Sequence, residues 1–358
     1  MRIVQLIPSL DVGGAERVAA MLARAQRQLG HEVAVVSLFD PVGSWIEADL
    51  RAADVTVRFL GKRPGLDLRV VPRLARVLRE LRPDVVHTHL HVLKYLLPAR
   101  VAWPRATVIH TVHNLAEREV EPQSQWIQRF AFRGPVAAVA IGDAVAASMV
   151  RLYGRPPAHV IPNGIPLVPA RPGARAAVRA AFGVAEATPV ILAVGRLNPQ
   201  KDHAVLVDAL ADPRLGAAEL WIAGEGELRD ALVAQAAARG VSTRVRLLGN
   251  RPDVPDLLAA ADLFALSSTW EGNPLVVMEA MAAGLPVVAR PVGCVPELVT
   301  PETGRLVGPG EAFADGVAGL LADPALRSRL GAAATRRAQA RFDVASMAAA
   351  YLRAYVKA

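Results

Sequence analysis

The chain alternates short apolar, β-branched runs with longer stretches whose apolar positions recur at helical spacing. MRIVQLI leads into GAERVAAMLARAQRQLG, then come EVAVVSL, a further helical stretch, DVVHTH and ATVIHTVH. This rhythm predicts parallel strands joined by helical crossovers. The Pro- and Gly-rich stretch VIPNGIPLVPARPG over 160–173 interrupts it and reads as a linker. Beyond the linker the pattern restarts with PVILAVG, AELWIAG, VRLLG, DLFALSS and LPVVAR, each followed by a helix-like segment or a glycine turn. The expected fold is α/β, with two open-sheet domains over 1–167 and 168–340. A last helix over 341–358 carries apolar residues at helical spacing at Met347, Tyr351, Leu352 and Tyr355. Open sheets of this kind bind ligands beyond the carboxyl ends of their strands, so two facing each other enclose a cleft.

A length of 358 residues agrees with two domains. With 53% apolar and 21% charged residues, a natively disordered chain is excluded. The single cysteine, Cys294, excludes an internal disulfide framework and suits a reducing compartment. Only the run Ile3 to Pro8 precedes the polar DVGGAER, too little for a signal-peptide core. Elsewhere Lys94, Arg100 or Asp143 break the apolar stretches before the roughly 18–20 residues that a membrane span needs. The expectation is a cytoplasmic protein whose contact with the inner face of a membrane, where made, is peripheral.

Charge sharpens that expectation. Of the net +8, most lies in the first half: residues 1–165 hold 21 Lys+Arg against 14 Asp+Glu, whereas 166–358 hold 20 against 19. The surplus is densest over 58–82, where Arg69, Arg73, Arg76 and Arg79 would share one helix face. That face is either merely solvated or a surface for anionic lipid headgroups or a lipid-diphosphate acceptor. Nucleic acid is not indicated, because aromatics are 5% and no recognised motif accompanies the charge.

The strongest chemical constellation is WEGNPLVVMEAMAAG. Asn273 reads as an N-cap and Pro274 as the first helical position, so free first-turn N–H groups would receive phosphate. Glu279 would lie about two turns into the helix and Glu271 just before it, one carboxylate for ribose hydroxyls and the other for a sugar's. An ordinary capped helix with two surface acids is the alternative. In VGRLNPQKDH, Arg196 follows a strand ending in glycine and Lys201 comes five residues later, a spacing that predicts both cations converging on a diphosphate. Gly13 and Gly14 permit a tight turn after the first strand, but GxGxxG is absent and no dinucleotide cofactor is indicated. Five of the eight histidines, His87, His89, His91, His110 and His113, fall within 27 residues. They raise the question of a metal site. The absence of any Asp-x-Asp pair argues for no metal, and His113, at a strand's carboxyl end, reads as a contact for a substrate hydroxyl.

Taken together, GGAE, DVVHTH, TVHN, IPNGI, VGRLNPQKD, AGEGELRDAL, EGNPLVVMEAMAAGLPVV and PELV resemble the large family-four group of retaining GT-B glycosyltransferases, nearly end to end. The resemblance implies two Rossmann-like domains facing across a cleft and a final helix that crosses back to the first. Arg196 and Lys201 would bind the donor diphosphate, Glu279 the ribose and Glu271 the transferred sugar. Backbone around Gly272, Asn273, Pro274 and Leu275 would meet phosphate or sugar, Gly224 would also belong to the donor site, and the loop around Arg251 would border the base. His113 would line the donor-sugar site and face the acceptor, Gly14 would approach both donor and acceptor, and Gly13, Glu16 and Asn163 would lie towards the acceptor. His113, Arg196, Lys201 and Glu271 would carry the reaction. It would move a hexose from a UDP- or GDP-sugar to a glycan or lipid-linked glycan in cell-surface polysaccharide assembly, by front-face attack, without metal or cofactor. Pro166, Gly142 and Cys294 depart from residues common in the family. The competing readings are a nucleotide-sugar epimerase or hydrolase on the same fold, a histidine-cluster metallohydrolase and a non-catalytic nucleotide-sugar sensor.

Overall fold

A computed structural model describes residues 1–357. The chain forms two compact units, one made of Met1–Pro166 with Asp343–Ala358, the other of Leu167–Phe342. In the first unit, strands β1 (Arg2–Ile7), β2 (Glu32–Ser37), β3 (Thr56–Phe59), β4 (Val85–His89), β5 (Thr107–Val112), β6 (Val136–Ala140) and β7 (His159–Val160) form one sheet in the order β3-β2-β1-β4-β5-β6-β7. All its pairs are parallel. In the second, β8 (Val190–Val194), β9 (Glu219–Ala223), β10 (Val245–Gly249), β11 (Leu263–Leu266), β12 (Val287–Ala289) and β13 (Gly304–Leu306) run in the order β10-β9-β8-β11-β12-β13, again parallel. Strand order therefore reverses between β1 and β4 and between β8 and β11. Right-handed crossovers on either side of such a reversal send their helices to opposite faces and leave a crevice at the strand ends.

The basic stretch 58–82 is not one helix. Arg58 and Phe59 end β3, and only Val70–Leu81 is helical, turning Val70, Leu74 and Leu78 into the core. Arg69 pairs with Asp67 (Nε–Oδ1 2.8 Å), and Arg73 donates to the carbonyls of Leu60 (2.8 Å) and Gly61 (3.0 Å). These two arginines tie down the preceding loop, while Arg76 and Arg79 remain exposed. No helix among the described residues is long and apolar enough to cross a membrane.

The last helix, Val344–Lys357, belongs to the first unit. Ile165 pairs with Asp343, and Val344 N–H donates to the Ile165 carbonyl at 3.0 Å. Gly164 is required at this crossing, since a Cβ there would lie 2.7 Å from the Asp343 oxygen. The helix covers an unusual patch of sheet. A parallel sheet closed on both faces is ordinarily apolar. Here Gln5, His87, His89 and Thr111, on neighbouring strands and one face, are all 0% exposed. Tyr355 Oη bonds His87 Nδ1 (2.8 Å) and accepts from Gln26 Nε2 (2.9 Å), while Tyr351 Oη meets Thr111 Oγ1 (2.9 Å). The phenols thus satisfy polar atoms that burial would otherwise penalise. Tyr355→Phe leaves the Gln26 donor and a His87 nitrogen unmet. It is expected to destabilise the chain by about 1–3 kcal/mol, read as a lower urea midpoint with unchanged circular dichroism in the absence of denaturant.

Candidate functional site

In the second unit the loops that follow β8 and β11 flank the strand-order reversal, and hydrogen bonds stitch them together. Thr269 N–H donates to the Gln200 carbonyl (2.8 Å), Gln200 Nε2 to that of Trp270 (3.0 Å) and Ser267 Oγ to that of Lys201 (2.8 Å). Arg290 clamps both loops, bonding Asp202 Oδ2 (2.6 Å) and the Ser267 carbonyl (2.7 Å). At their junction Lys201 Nζ sits 2.5 Å from Glu271 Oε1, with side chains 17% and 8% exposed. The Lys201 stem lies over Gly195, whose missing Cβ would come 3.1 Å from Lys201 Cε. The Glu271 backbone is pinned from behind. A Cβ on Gly293 (φ +53°) would overlap its carbonyl oxygen, and Cys294 N–H donates to the Gly272 carbonyl at 2.9 Å. Cys294 is fully buried. His203, also buried, is pushed down to about 4, chiefly by burial and then by Lys201.

Two sequence expectations need correction here. The helix after β11 is Leu275–Ala282 and its N-cap is Pro274, at φ −72° and ψ 115°; Asn273 is a buried residue before the cap. Proline's fixed φ fits the cap as well as the first helical position, so its presence did not decide between them. Glu279 then falls about 6 Å along the axis from the helix start at 1.5 Å per residue, little more than one turn. Second, Lys201 does not stand as a free cation. Arg196 is exposed, whereas Lys201 is largely buried and takes Glu271, the carboxylate that the stitched loops bring within reach. In the loop after β10, Asp253 accepts from Arg251 Nε (2.8 Å) and Nη2 (2.6 Å). Its guanidinium carbon lies 5.9 Å from the Phe182 ring centre. Gly224 (φ +149°) does stand at the strand ends. A Cβ there would overlap the Gly195 carbonyl oxygen, and its N–H donates to the Gly249 carbonyl at 2.8 Å.

In the first unit, Gly13 caps the helix Gly14–Gln28 just past β1, and the Glu16 carboxylate folds back over Gly13, filling the space of a Cβ. His113 follows β5, on the same face as His89. Asn163 is buried elsewhere, beyond β7 and next to the Gly164 crossing. The histidines form hydrogen-bonded chains. His87 Nε2 meets Thr111 Oγ1 (2.7 Å), His89 Nδ1 meets His113 Nε2 (2.8 Å) and His89 Nε2 meets Gln5 Oε1 (2.8 Å). On the opposite face His110 Nδ1 meets Thr88 Oγ1 (2.8 Å). Burial drives His110 and His113 down to about 3, and His87 and His89 well below the usual range, so all four are neutral. The lone pairs that a metal would need are largely spent on these bonds. Among the described residues no three His, Cys, Asp or Glu side chains gather as a ligand set.

Glu119 went unread in the sequence because it lies in a short loop helix after β5, with no periodic signal. It accepts from His113 N–H at 3.1 Å, and burial, with help from Glu16, pushes it up to about 8. It is therefore largely protonated at neutral pH.

Residues 12–168 match Glycosyltransferase Family 4, and residues 174–337 match Glycosyl transferases group 1. The D-inositol 3-phosphate glycosyltransferase of Nocardia farcinica is 33% identical over 96% of this chain and 85% of its own. The chain belongs to the family-4 glycosyltransferases. An Escherichia coli relative, UDP-Gal:alpha-D-GlcNAc-diphosphoundecaprenol alpha-1,3-galactosyltransferase, is 30% identical over 80% of this chain and 77% of its own. Among solved structures, Anabaena HepE in complex with UDP and glucose superposes with a TM-score of 0.88 at 25% identity, covering 100% of both chains. Its complex with UDP-glucose gives 0.87 over 99% of both. The two Rossmann-like sheets are those of the GT-B fold expected from the sequence.

The Glu119 carboxyl has a sign that can be checked in this family-4 enzyme. Its folded-state pKa, about 8, lies above the ordinary 4.5, so its favourable contribution is complete below 4.5 and is lost as pH rises through 8. Glu119→Gln keeps an oxygen for His113 N–H and cannot ionise. Its melting temperature is expected to exceed that of the parent by a margin that widens from about pH 5 to about pH 8.

Proposed function

We propose that this family-4 enzyme moves a hexose from a UDP- or GDP-sugar to an acceptor hydroxyl with retention of configuration and without a metal. The observation that carries this reading is the Lys201–Glu271 pair between two stitched loops, beside the exposed Arg196 and the helix start at Leu275. An incoming diphosphate would meet first-turn N–H groups and Arg196 and would compete for Lys201, trading one counter-ion for another. Glu271, released, would accept from sugar hydroxyls, while Glu279 would hold the ribose. At an effective dielectric near 20, one unit pair at 4 Å contributes about 4 kcal/mol, so two cations offset much of the charge on the leaving diphosphate. The bond from the anomeric carbon to phosphate oxygen breaks as the bond to the acceptor oxygen forms on the same face, and the departing phosphate takes the acceptor proton. No paired acid and nucleophile of the glycosidase kind is needed. The UDP-glucose complex of HepE and the UDP-galactose donor in the name of the E. coli relative favour UDP.

For the acceptor, the lipid diphosphate in the name of that relative favours a lipid-linked glycan. So does the 58–82 region, where Leu66 (72% exposed) and Leu68 (65%) stand beside exposed Arg63, Arg76 and Arg79. Apolar side chains among arginines suit an anionic bilayer surface, here the inner face of the membrane for a cytoplasmic enzyme. Identical co-sedimentation with neutral and anionic vesicles would remove this support.

UDP-glucose or UDP-galactose is expected to raise the melting temperature with chelator present. Arg196→Ala should weaken donor binding roughly ten- to hundredfold, the 1.5–3 kcal/mol of a hydrogen bond to a charged group. NMR of the product should show the donor's anomeric configuration. Loss of turnover on chelation would point instead to the histidine-cluster hydrolase. Sugar stereoisomers formed without acceptor would point to an epimerase, and binding with no turnover on any acceptor to a sensor.

A further inference from the structure

We infer that Gln5 and His89 are positioning residues that hold the His113 proton on Nε2, so that His113 Nδ1 offers a lone pair to a sugar hydroxyl. The inference rests on the glycosyl-transfer reading for the identity of the hydroxyl, but its geometry lies wholly within the first unit. Gln5 Nε2 donates to Gln26 Oε1 (2.9 Å) and Tyr355 Oη (3.4 Å), which leaves Gln5 Oε1 as an acceptor. It faces His89 Nε2 at 2.8 Å, so that nitrogen carries hydrogen. His89 is neutral, so its Nδ1 is bare and must accept from His113 Nε2 at 2.8 Å. His113 is neutral as well, which leaves its own Nδ1 bare.

That Nδ1 is buried and meets no protein partner. Every other ring nitrogen of His87, His89 and His113 is bonded, and a buried acceptor left unmet costs stability. The rest of the network agrees in polarity. Gln26 Nε2 donates to Tyr355 Oη, whose hydroxyl hydrogen goes to His87 Nδ1; His87 Nε2 donates to Thr111 Oγ1, and Thr111 to Tyr351 Oη. With the Gln5 and Gln26 amides oriented in this way, reversing His113 alone would set two bare nitrogens, His113 Nε2 and His89 Nδ1, against each other. Glu119 holds the main chain of the same residue through His113 N–H. The consequence is selective: a bare imidazole nitrogen accepts from a hydroxyl but repels an ether or carbonyl oxygen.

The test is NMR of the full chain with isotopically labelled histidine and no ligand, the His113 signals being those lost in His113→Gln. The expected pattern is a pyrrole-type Nε2 and a pyridine-type Nδ1. Hydrogen found on Nδ1 overturns the inference without recourse to any variant. Gln5→Met keeps length but removes the acceptor, and should give a mixture of both tautomers. Gln5→Glu keeps an oxygen there and should restore the parent pattern. A Gln5→Met spectrum identical to the parent's overturns the relay. In binding, Gln5→Met should leave UDP affinity unchanged. It should weaken either UDP-sugar affinity or the acceptor KM roughly three- to tenfold; the first places the hydroxyl on the donor sugar, the second on the acceptor. No change in either overturns the role assigned to Nδ1. Failure of the parent enzyme to bind any nucleotide sugar would strike the transfer reading and leave the tautomer result standing.

Discussion

Between β8 and β11 the connecting helices depart towards opposite faces of the sheet, so the carboxyl ends of these two strands are covered by neither layer. Everything chemical in the second unit follows from what fills that gap. Two loops must cross there without a helix to support them, and they hold each other through Gln200, Ser267, Thr269 and Arg290. Their stitching places an ammonium against a carboxylate in partial burial. Such a pair is expensive to break by removing one partner but open to exchange for a better anion. The glycines around it serve closeness. Gly195, Gly224 and Gly293 each stand where a side chain would overlap or crowd a carbonyl oxygen or the lysine stem.

The first unit has the same reversal, between β1 and β4, and fills it with the opposite chemistry. Where the second unit gathers formal charges, the first gathers neutral imidazoles, amides and phenols beneath two helices. Burial enforces neutrality, and neutrality lets each ring act as donor on one side and acceptor on the other. Charges suit a phosphate, which is recognised by its charge. Neutral groups of fixed polarity suit hydroxyls, which differ only in where their hydrogens can go.

Most strands were legible because β-branched runs between helical stretches leave little alternative. β3 and β6 were not. TVRF opens the arginine-rich stretch and is masked by it, and VAAVA is too rich in alanine to stand out. In the site, Arg196, Lys201, Glu271 and Gly224 were marked by glycine, proline and charge at strand ends, which are local signals. What was misread depended on partners that proximity in sequence does not show. Lys201 is claimed by a glutamate 70 residues away. Gln5 gave no signal, since its role depends on His89, 84 positions on, and Tyr355, 350 positions on.

The returning helix also imposes an order on synthesis. The second unit is one continuous segment, Leu167–Phe342, whereas the first needs Val344–Lys357 to close its polar face. A ribosome therefore delivers the strands β1 to β7 early but withholds Tyr351 and Tyr355 until the whole second unit has been made. Through that interval the nascent domain must keep its inner imidazoles and amides wet, and only the returning helix can dry them. A nonsense codon within Val344–Lys357 would thus leave open the part of the protein made first, and intact the part made next.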